Sequence, residues 1–169
     1  MLQKLDAKTL TPAVFSVFGE NHALLTAGDR AECNTMTIGW CGLGRIWQLP
    51  ACTVYVRPER YTYSFLERHE FFTVCVLPAR CREILDFCGT HSGRDTDKVR
   101  ACGLHVQYGA MDAPFFAEAD WALVCKKRYA QDLTPDCVTD PRVLRSYQQE
   151  GWHRMYIGEV VEVYGKETI

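Results

Sequence analysis

Short runs rich in apolar and other strand-favouring residues, set off by polar stretches, fill the first half of this chain, which predicts strands over 13–18, 22–27, 33–39, 52–56 and 71–77. Gly28-Asp29 supplies a turn between the second and third, and a meander is the simplest pairing. Three helices interrupt them. Residues 61–69 follow Pro58 with Tyr61, Phe65 and Leu66 at helical spacing, and 80–88 repeat apolar residues at Ile84, Leu85 and Cys88. Asp95 is expected to cap the third, over 96–102, which Gly103 ends. Strands return over 122–126 and 155–163, the latter apolar on both sides of Gly158. Strands without regular strand–helix alternation predict a mainly β fold, a β-barrel with inserted helices.

Composition narrows the class. A chain of 169 residues with no Pro/Gly/Ser-rich linker, repeat or charge block reads as a single domain over 1–169. Charged residues make up 24% and apolar ones 47%, ordinary values for a globular protein. The formal charge is −2 with dispersed Lys and Arg, which argues against nucleic acid or an anionic membrane as partner. No apolar run reaches the roughly 20 residues that span a bilayer. Residues 1–18 lack the basic start and apolar centre of an export signal, so a cytoplasmic location is expected. The nine cysteines are an odd number without a Cys-x-x-Cys pair, and are expected to be reduced thiols. Some, such as Cys75 in an apolar run, serve as small hydrophobes.

Several chemistries are disfavoured. Gly42-x-Gly44 has Trp47 at the third glycine position of a dinucleotide fingerprint, and no βαβ unit surrounds it. Gly165-Lys166 lacks the leading glycine and the following Ser or Thr of a phosphate loop. There is no Gly-x-Ser-x-Gly turn and no His-Glu-x-x-His helix. Cys88-Gly89-Thr90-His91 and Cys102-Gly103-Leu104-His105 form two Cys-x-x-His units whose donors suit tetrahedral zinc, which keeps a zinc-stabilised binding module open as an alternative.

Three polar clusters carry the positive signal. In the first, Asn34, Met36 and Ile38 alternate with Thr35, Thr37 and Gly39, so one sheet face can offer hydroxyls while Asn34 offers an amide and Trp40 a flat wall. The competing view of Trp40 is a core residue. In the second, Arg57, Arg60 and Thr62 stand where a strand gives way to a helix, so guanidiniums, a hydroxyl and helix N–H groups can face a phosphate. The competing view has both arginines solvated and Thr62 capping the helix. In the third, Ser92-Gly93-Arg94-Asp95-x-Asp97-Lys98 pairs a turn with a lysine one helical turn in, unless Lys98 is tied up by Asp95 or Asp97. A phosphate nest, donors for ring carbonyls and an aromatic wall are what flavin mononucleotide (FMN) asks of a protein.

Asn34-x-Met36-Thr37-x-Gly39-Trp40, Arg57-Pro58-x-Arg60-Tyr61-Thr62, the third cluster and Tyr156-Ile157-Gly158-Glu159-Val160 together resemble, in order and spacing, the flavin-reductase-like proteins and especially their flavoredoxin branch, over roughly residues 10–165. The resemblance implies an FMN-binding split β-barrel with FMN at a homodimer interface. It places Asn34, Thr35, Met36, Thr37 and Trp40 along the ring and ribityl chain, Arg57, Arg60, Tyr61 and Thr62 at the phosphate, and Ser92 and Lys98 beside them. His153, just before Met155, is the candidate for a histidine that approaches the flavin. The transferability of Cys41 and a loop over 42–45 is weaker. The implied activity is FMN-dependent oxidoreduction, with NAD(P)H or a redox protein as donor, flavin N5 as reactive centre and no essential catalytic side chain. The rival is a non-enzymatic FMN electron carrier.

Overall fold

Side chains on successive strand residues point to opposite faces, and in this chain both faces of the central strands are apolar, so the sheet must be covered twice. The computed structural model describes residues 2–6, 13–147 and 151–166. Its large sheet contains β1 (Gln3–Leu5), β2 (Ala23–Gly28), β3 (Cys33–Ile38), β4 (Cys41–Ile46), β5 (Leu49–Val56) and β6 (Phe71–Val76). A small hairpin follows, β7 (Val106–Tyr108) with β8 (Pro114–Phe116), and the long β9 (Trp121–Asp132) and β10 (Arg154–Gly165) complete the large sheet. Strand order is β3-β2-β6-β9-β10-β5-β4, and all pairings are antiparallel. One edge of β10 pairs with β5 over its first half and with β1 over its last residues. A simple meander is therefore corrected: β2–β3 and β4–β5 are hairpins, but β5 pairs with β10 and β6 lies between β2 and β9.

The first core shows that the sheet curls into a barrel, because every strand of the large sheet contributes to it. Leu25, Ile38, Val54, Phe72, Leu123 and Tyr156 meet there, with Leu5 and Leu43 packed at its margin. Each such aliphatic side chain contributes about 1.5–3 kcal/mol by leaving water. The opposite faces of β2, β6 and β9 carry Leu24, Cys75 and Val124 into a second core, closed by Leu85, Cys88 and the β7–β8 hairpin. Gly158 is where β10 crosses the barrel interior most closely. A Cβ there would stand 2.7 Å from the Phe72 ring and 2.8 Å from Cys125 Cβ, so glycine is needed for the approach rather than for a turn.

The helices are α1 (Val14–Ser16), running into a π turn over Val17–Asn21, then α2 (Tyr61–Arg68), α3 (Arg82–Thr90), α4 (Lys98–Ala101) and α5 (Pro141–Arg145). The strand expected over 13–18 is corrected to helical turns. Val14, Val17 and Phe18 sit at helical spacing and face the first core, while Phe15 is 93% exposed. The third helix starts two residues later than expected because Asp97, not Asp95, caps it, accepting from Arg100 N at 3.1 Å. Residues 42–45 belong to β4 rather than to a loop. Strands β3 and β4 end the sheet without pairing to each other, which leaves the outer edge of β3 open.

Candidate functional site

The open edge of β3 is where the polar clusters meet. The two-residue repeat of β5 sends Cys52, Val54 and Val56 into the core and turns Thr53, Tyr55 and Arg57 to the other face. Pro58 then ends the strand, Arg60 N donates to Arg57 O at 3.0 Å, and α2 begins with Arg60 as its N-cap and no side chain capping the first turn. The positive end of α2 thus faces the same space as two guanidiniums.

Hydrogen bonds lock the neighbouring pieces. Asn34 Nδ2 donates to Thr62 Oγ1 at 2.7 Å, both residues being buried. Thr62 therefore holds Asn34 and does not cap its helix. A Cβ on Gly93 would stand 1.9 Å from Asn34 Oδ1 and 3.0 Å from the Tyr61 ring, so the third cluster rests directly on the first two. Lys98, 6% exposed, donates to Thr35 O at 3.0 Å and to Cys88 O at 2.8 Å, and not to Asp95 or Asp97. Burial lowers its pKa.

The bond from Lys98 also shows how β3 is oriented. Because the Thr35 carbonyl points out from the open edge, the two-residue repeat points the backbone N–H and C=O of Thr37 out as well. The hydroxyls do something else. Thr26 Oγ1 donates to Thr35 Oγ1 at 2.9 Å, Thr35 Oγ1 donates to Leu25 O at 3.3 Å, and Thr37 Oγ1 donates to Leu85 O at 2.5 Å. The expected display of hydroxyls is therefore corrected. These groups bind the fold together, and the edge offers a ligand its backbone.

Three adjoining cavities form a trough along this edge. The first, of about 250 Å³, is bounded by Met36, Thr37, Trp40, Tyr55, Arg57, Arg60 and His153. The second, of about 160 Å³, shares Met36 and Arg60 with it and adds Asn34, Tyr61, Thr62, Ser92 and Lys98. Thr35 borders the third, of about 560 Å³, together with Asn34, Tyr61 and Lys98. Each of the twelve residues predicted for the site borders at least one of these three cavities.

An aromatic group closes its far end. Trp40 is 47% exposed, which removes it from the core, and its ring lies 4.5 Å from His153 and 6.4 Å from Tyr55. Tyr147 stacks on Trp152 at 4.0 Å, and its hydroxyl lies 3.1 Å from His153 Nδ1. Burial first, and then the Arg57 guanidinium, push the His153 imidazole down to about 4, so it is neutral at pH 7. The unfolded chain binds a proton at this residue near pH 6.5 while the folded protein waits until about pH 4. Folding stability is therefore expected to fall as pH drops through that window, by about 1–2 kcal/mol after allowance for solvent screening. Urea midpoints at pH 7 and pH 5 check this: His153→Gln should flatten the pH dependence, and an unchanged slope contradicts it.

Tyr55, Tyr147 and Trp152 were not among the expected site residues. Tyr55 was within reach of the strand repeat counted back from Arg57, whereas Tyr147 and Trp152 arrive from a distant segment and carry no local signal. The two Cys-x-x-His units bring their cysteines together, with Cys88 Sγ and Cys102 Sγ 4.0 Å apart, but not their histidines. His91 stacks on Phe87 at 3.9 Å and His105 Nδ1 lies 2.6 Å from Glu118 Oε1. Among the described residues, no group of three or more His, Cys, Asp or Glu is placed to hold a metal ion.

Comparison with known proteins agrees with this architecture. The flavin reductase like domain model matches residues 15–168, and the chain belongs to that family. It is a flavin-binding domain of oxidoreductase type. Among solved structures it is similar to flavoredoxin of Desulfovibrio vulgaris (Miyazaki F), at 25% identity and TM-score 0.68, over 99% of this chain and 78% of that one. An FMN-binding protein from Thermus thermophilus, solved with bound 1-cyclohex-2-enone, is 20% identical with TM-score 0.71 over 98% and 82%. An NADH:FAD oxidoreductase of Streptomyces globisporus C-1027, in complex with NAD and FAD fragments, is 19% identical with TM-score 0.64 over 88% and 76%. No curated protein matches this chain.

Proposed function

We propose that this chain binds FMN in the trough along β3 and passes hydride or electrons through it to an acceptor, as one domain over 1–169. The observation that carries the reading is the convergence of Arg57 and Arg60 at the uncapped start of α2 with an aromatic wall and an open strand edge. The donor set fits the group. Two guanidiniums and helix N–H groups suit a phosphate, edge N–H and C=O groups suit a pyrimidine-like ring, and Trp40 suits a flat face. The volume of the cavities falls within the roughly 300–1,000 Å³ usual for cofactor sites. FMN is taken as the flavin because the Thermus thermophilus relative is named as FMN-binding, while the Streptomyces globisporus relative acts with FAD.

When bound, the flavin supplies a two-electron centre at its N5 atom. The chain's own residues hold and tune it. Arg57 and Arg60 anchor the phosphate, and Asn34, fixed by Thr62, keeps the third cluster in register. Lys98 holds a positive charge behind the edge strand, where it favours added electrons. His153, neutral at pH 7, offers a hydrogen bond without adding charge, and Trp40 limits water on the ring.

A homodimer belongs to the same proposal, because the trough is open on one side and Trp40 and Phe15 are exposed near the barrel. No helix among the described residues is long and apolar enough to cross a membrane. The nine free thiols support a reducing, cytoplasmic setting. A second reading, electron carriage without a nicotinamide, is favoured by the likeness to a flavoredoxin, while the Streptomyces globisporus relative favours a nicotinamide donor. Anaerobic stopped-flow mixing separates them. Rapid bleaching of the reconstituted flavin by NADH or NADPH is the expected result for a reductase, and bleaching only by a reduced ferredoxin-type protein transfers the assignment to a carrier.

A further inference from the structure

Two thiols stand at the two ends of the segment that carries the third cluster. Cys88, buried in α3, and Cys102, half-buried at the end of α4, place their sulfurs 4.0 Å apart. Between them in the chain lie Ser92, Gly93, Arg94 and Lys98, which all border the trough. The contacts that hold this segment down are few and specific. Gly93 rests on Asn34, Arg94 Nη1 donates to Glu59 O at 3.2 Å, and Lys98 bridges Thr35 O and Cys88 O. Between the end of α3 at Thr90 and the single turn of α4 the segment has no regular structure, and Val99 packs its far end into the second core.

We propose that Cys88 and Cys102 form a reversible dithiol–disulfide clasp that fixes residues 89–101 against the site. Closing the bond needs the sulfurs to approach by about 2 Å, to the ordinary length of roughly 2.05 Å. A closer pair, Cys41 and Cys52 at 3.6 Å, joins β4 to β5, which are already paired neighbours, and Cys52 is wholly buried and also touches Cys125. A bond there would restrain little. A bond between Cys88 and Cys102 closes a loop whose freedom is otherwise lost only on folding, which is where a disulfide acts most strongly.

The roles of the two sulfurs differ. Burial pushes the Cys88 thiol up to about 12, which makes it the resolving partner. Cys102 is more accessible, and both the contact with Cys88 and the Lys98 ammonium oppose its upward shift, so it attacks first. With hydrogen peroxide as oxidant, Cys102 Sγ takes one peroxide oxygen as the O–O bond breaks. The departing hydroxide takes the thiol proton, leaving one water and a sulfenic acid. Cys88 Sγ then attacks the Cys102 sulfur, the S–S bond forms, and the S–O bond breaks to release a second water with the Cys88 proton. The thiol pair loses two electrons and the peroxide gains them. A small dithiol reverses the bond by exchange. The clasp stands independently of which flavin the site takes.

The test uses the reduced, desalted full chain treated with one equivalent of hydrogen peroxide and then alkylated. The expected result is a mass loss of about 2 Da before alkylation and two fewer alkyl groups after it, by dithiol-to-disulfide oxidation, a cross-linked peptide joining residues 88 and 102, and at least roughly tenfold slower amide hydrogen exchange over 89–101. Dithiothreitol should restore both. Cys102→Ser should lose the cross-link and keep the exchange of the reduced protein. A cross-link mapped to residues 41 and 52, a stable sulfenic acid at Cys102, or unchanged exchange over 89–101 in the oxidised wild type would each overturn the proposal.

Discussion

The double exchange Arg57→Ala/Arg60→Ala is expected to weaken FMN binding by about 10²–10⁴-fold. Each guanidinium-to-phosphate hydrogen bond is worth about 1.5–3 kcal/mol, and each 1.4 kcal/mol is about tenfold in affinity. Arg57 and Arg60 flank the uncapped start of α2, so removing both leaves helix N–H groups as the remaining attraction for a dianion. Riboflavin lacks the phosphate and acts as the internal control. Fluorescence titration of wild type and variant with both flavins should show a large loss for FMN and little for riboflavin. Equal losses for the two would mean that the arginines support the fold or the ring rather than the phosphate.

Gly93→Ala is expected to damage both folding and binding. Its Cβ would stand 1.9 Å from Asn34 Oδ1, and the amide cannot move cheaply because it is buried and bonded to Thr62. If Asn34 swings away, a buried hydroxyl loses its partner at a cost of about 1–3 kcal/mol. If the segment carrying Gly93 lifts instead, Ser92 and Lys98 leave the trough. Either route predicts a stability loss of about 2–4 kcal/mol from the combined clash and lost bond, and FMN affinity reduced at least tenfold. Urea denaturation and flavin titration measure the two effects. A variant with wild-type stability and wild-type affinity would show that the third cluster does not seat against Asn34.

How much of this was legible in the chain depends on whether the signal was local. The near-continuous apolar run over 71–77 named β6 correctly, and both faces of that strand are buried. The same habit failed over 13–18, where Val14, Val17 and Phe18 obey a helical period that a six-residue window barely distinguishes from alternation. Strand order was not legible. Which neighbour β5 takes is decided by the long β10 from the far end of the chain. At the site, residue types marked the three clusters, and the trough gathers all of them. The way Thr35 and Thr37 are used was not readable. The sequence shows hydroxyls, while their partners Thr26, Leu25 and Leu85 lie on other elements. For Lys98 the competing view, pairing with Asp95 or Asp97 by proximity in the chain, fails because it reaches two carbonyls on β3 and α3, which no local signal shows. Trp40 could be read as core or wall, and only the end of the sheet at β3 decides for the wall.

The central claim is that segments distant in sequence build one flavin site along the open edge of β3. A crystal structure of the protein reconstituted with FMN tests it most directly. The account predicts the phosphate within hydrogen-bond distance of Arg57 or Arg60 at the start of α2, and the ring between the Thr37 backbone and Trp40. Flavin bound on another surface, or a trough without density from crystals grown at saturating FMN, would contradict it.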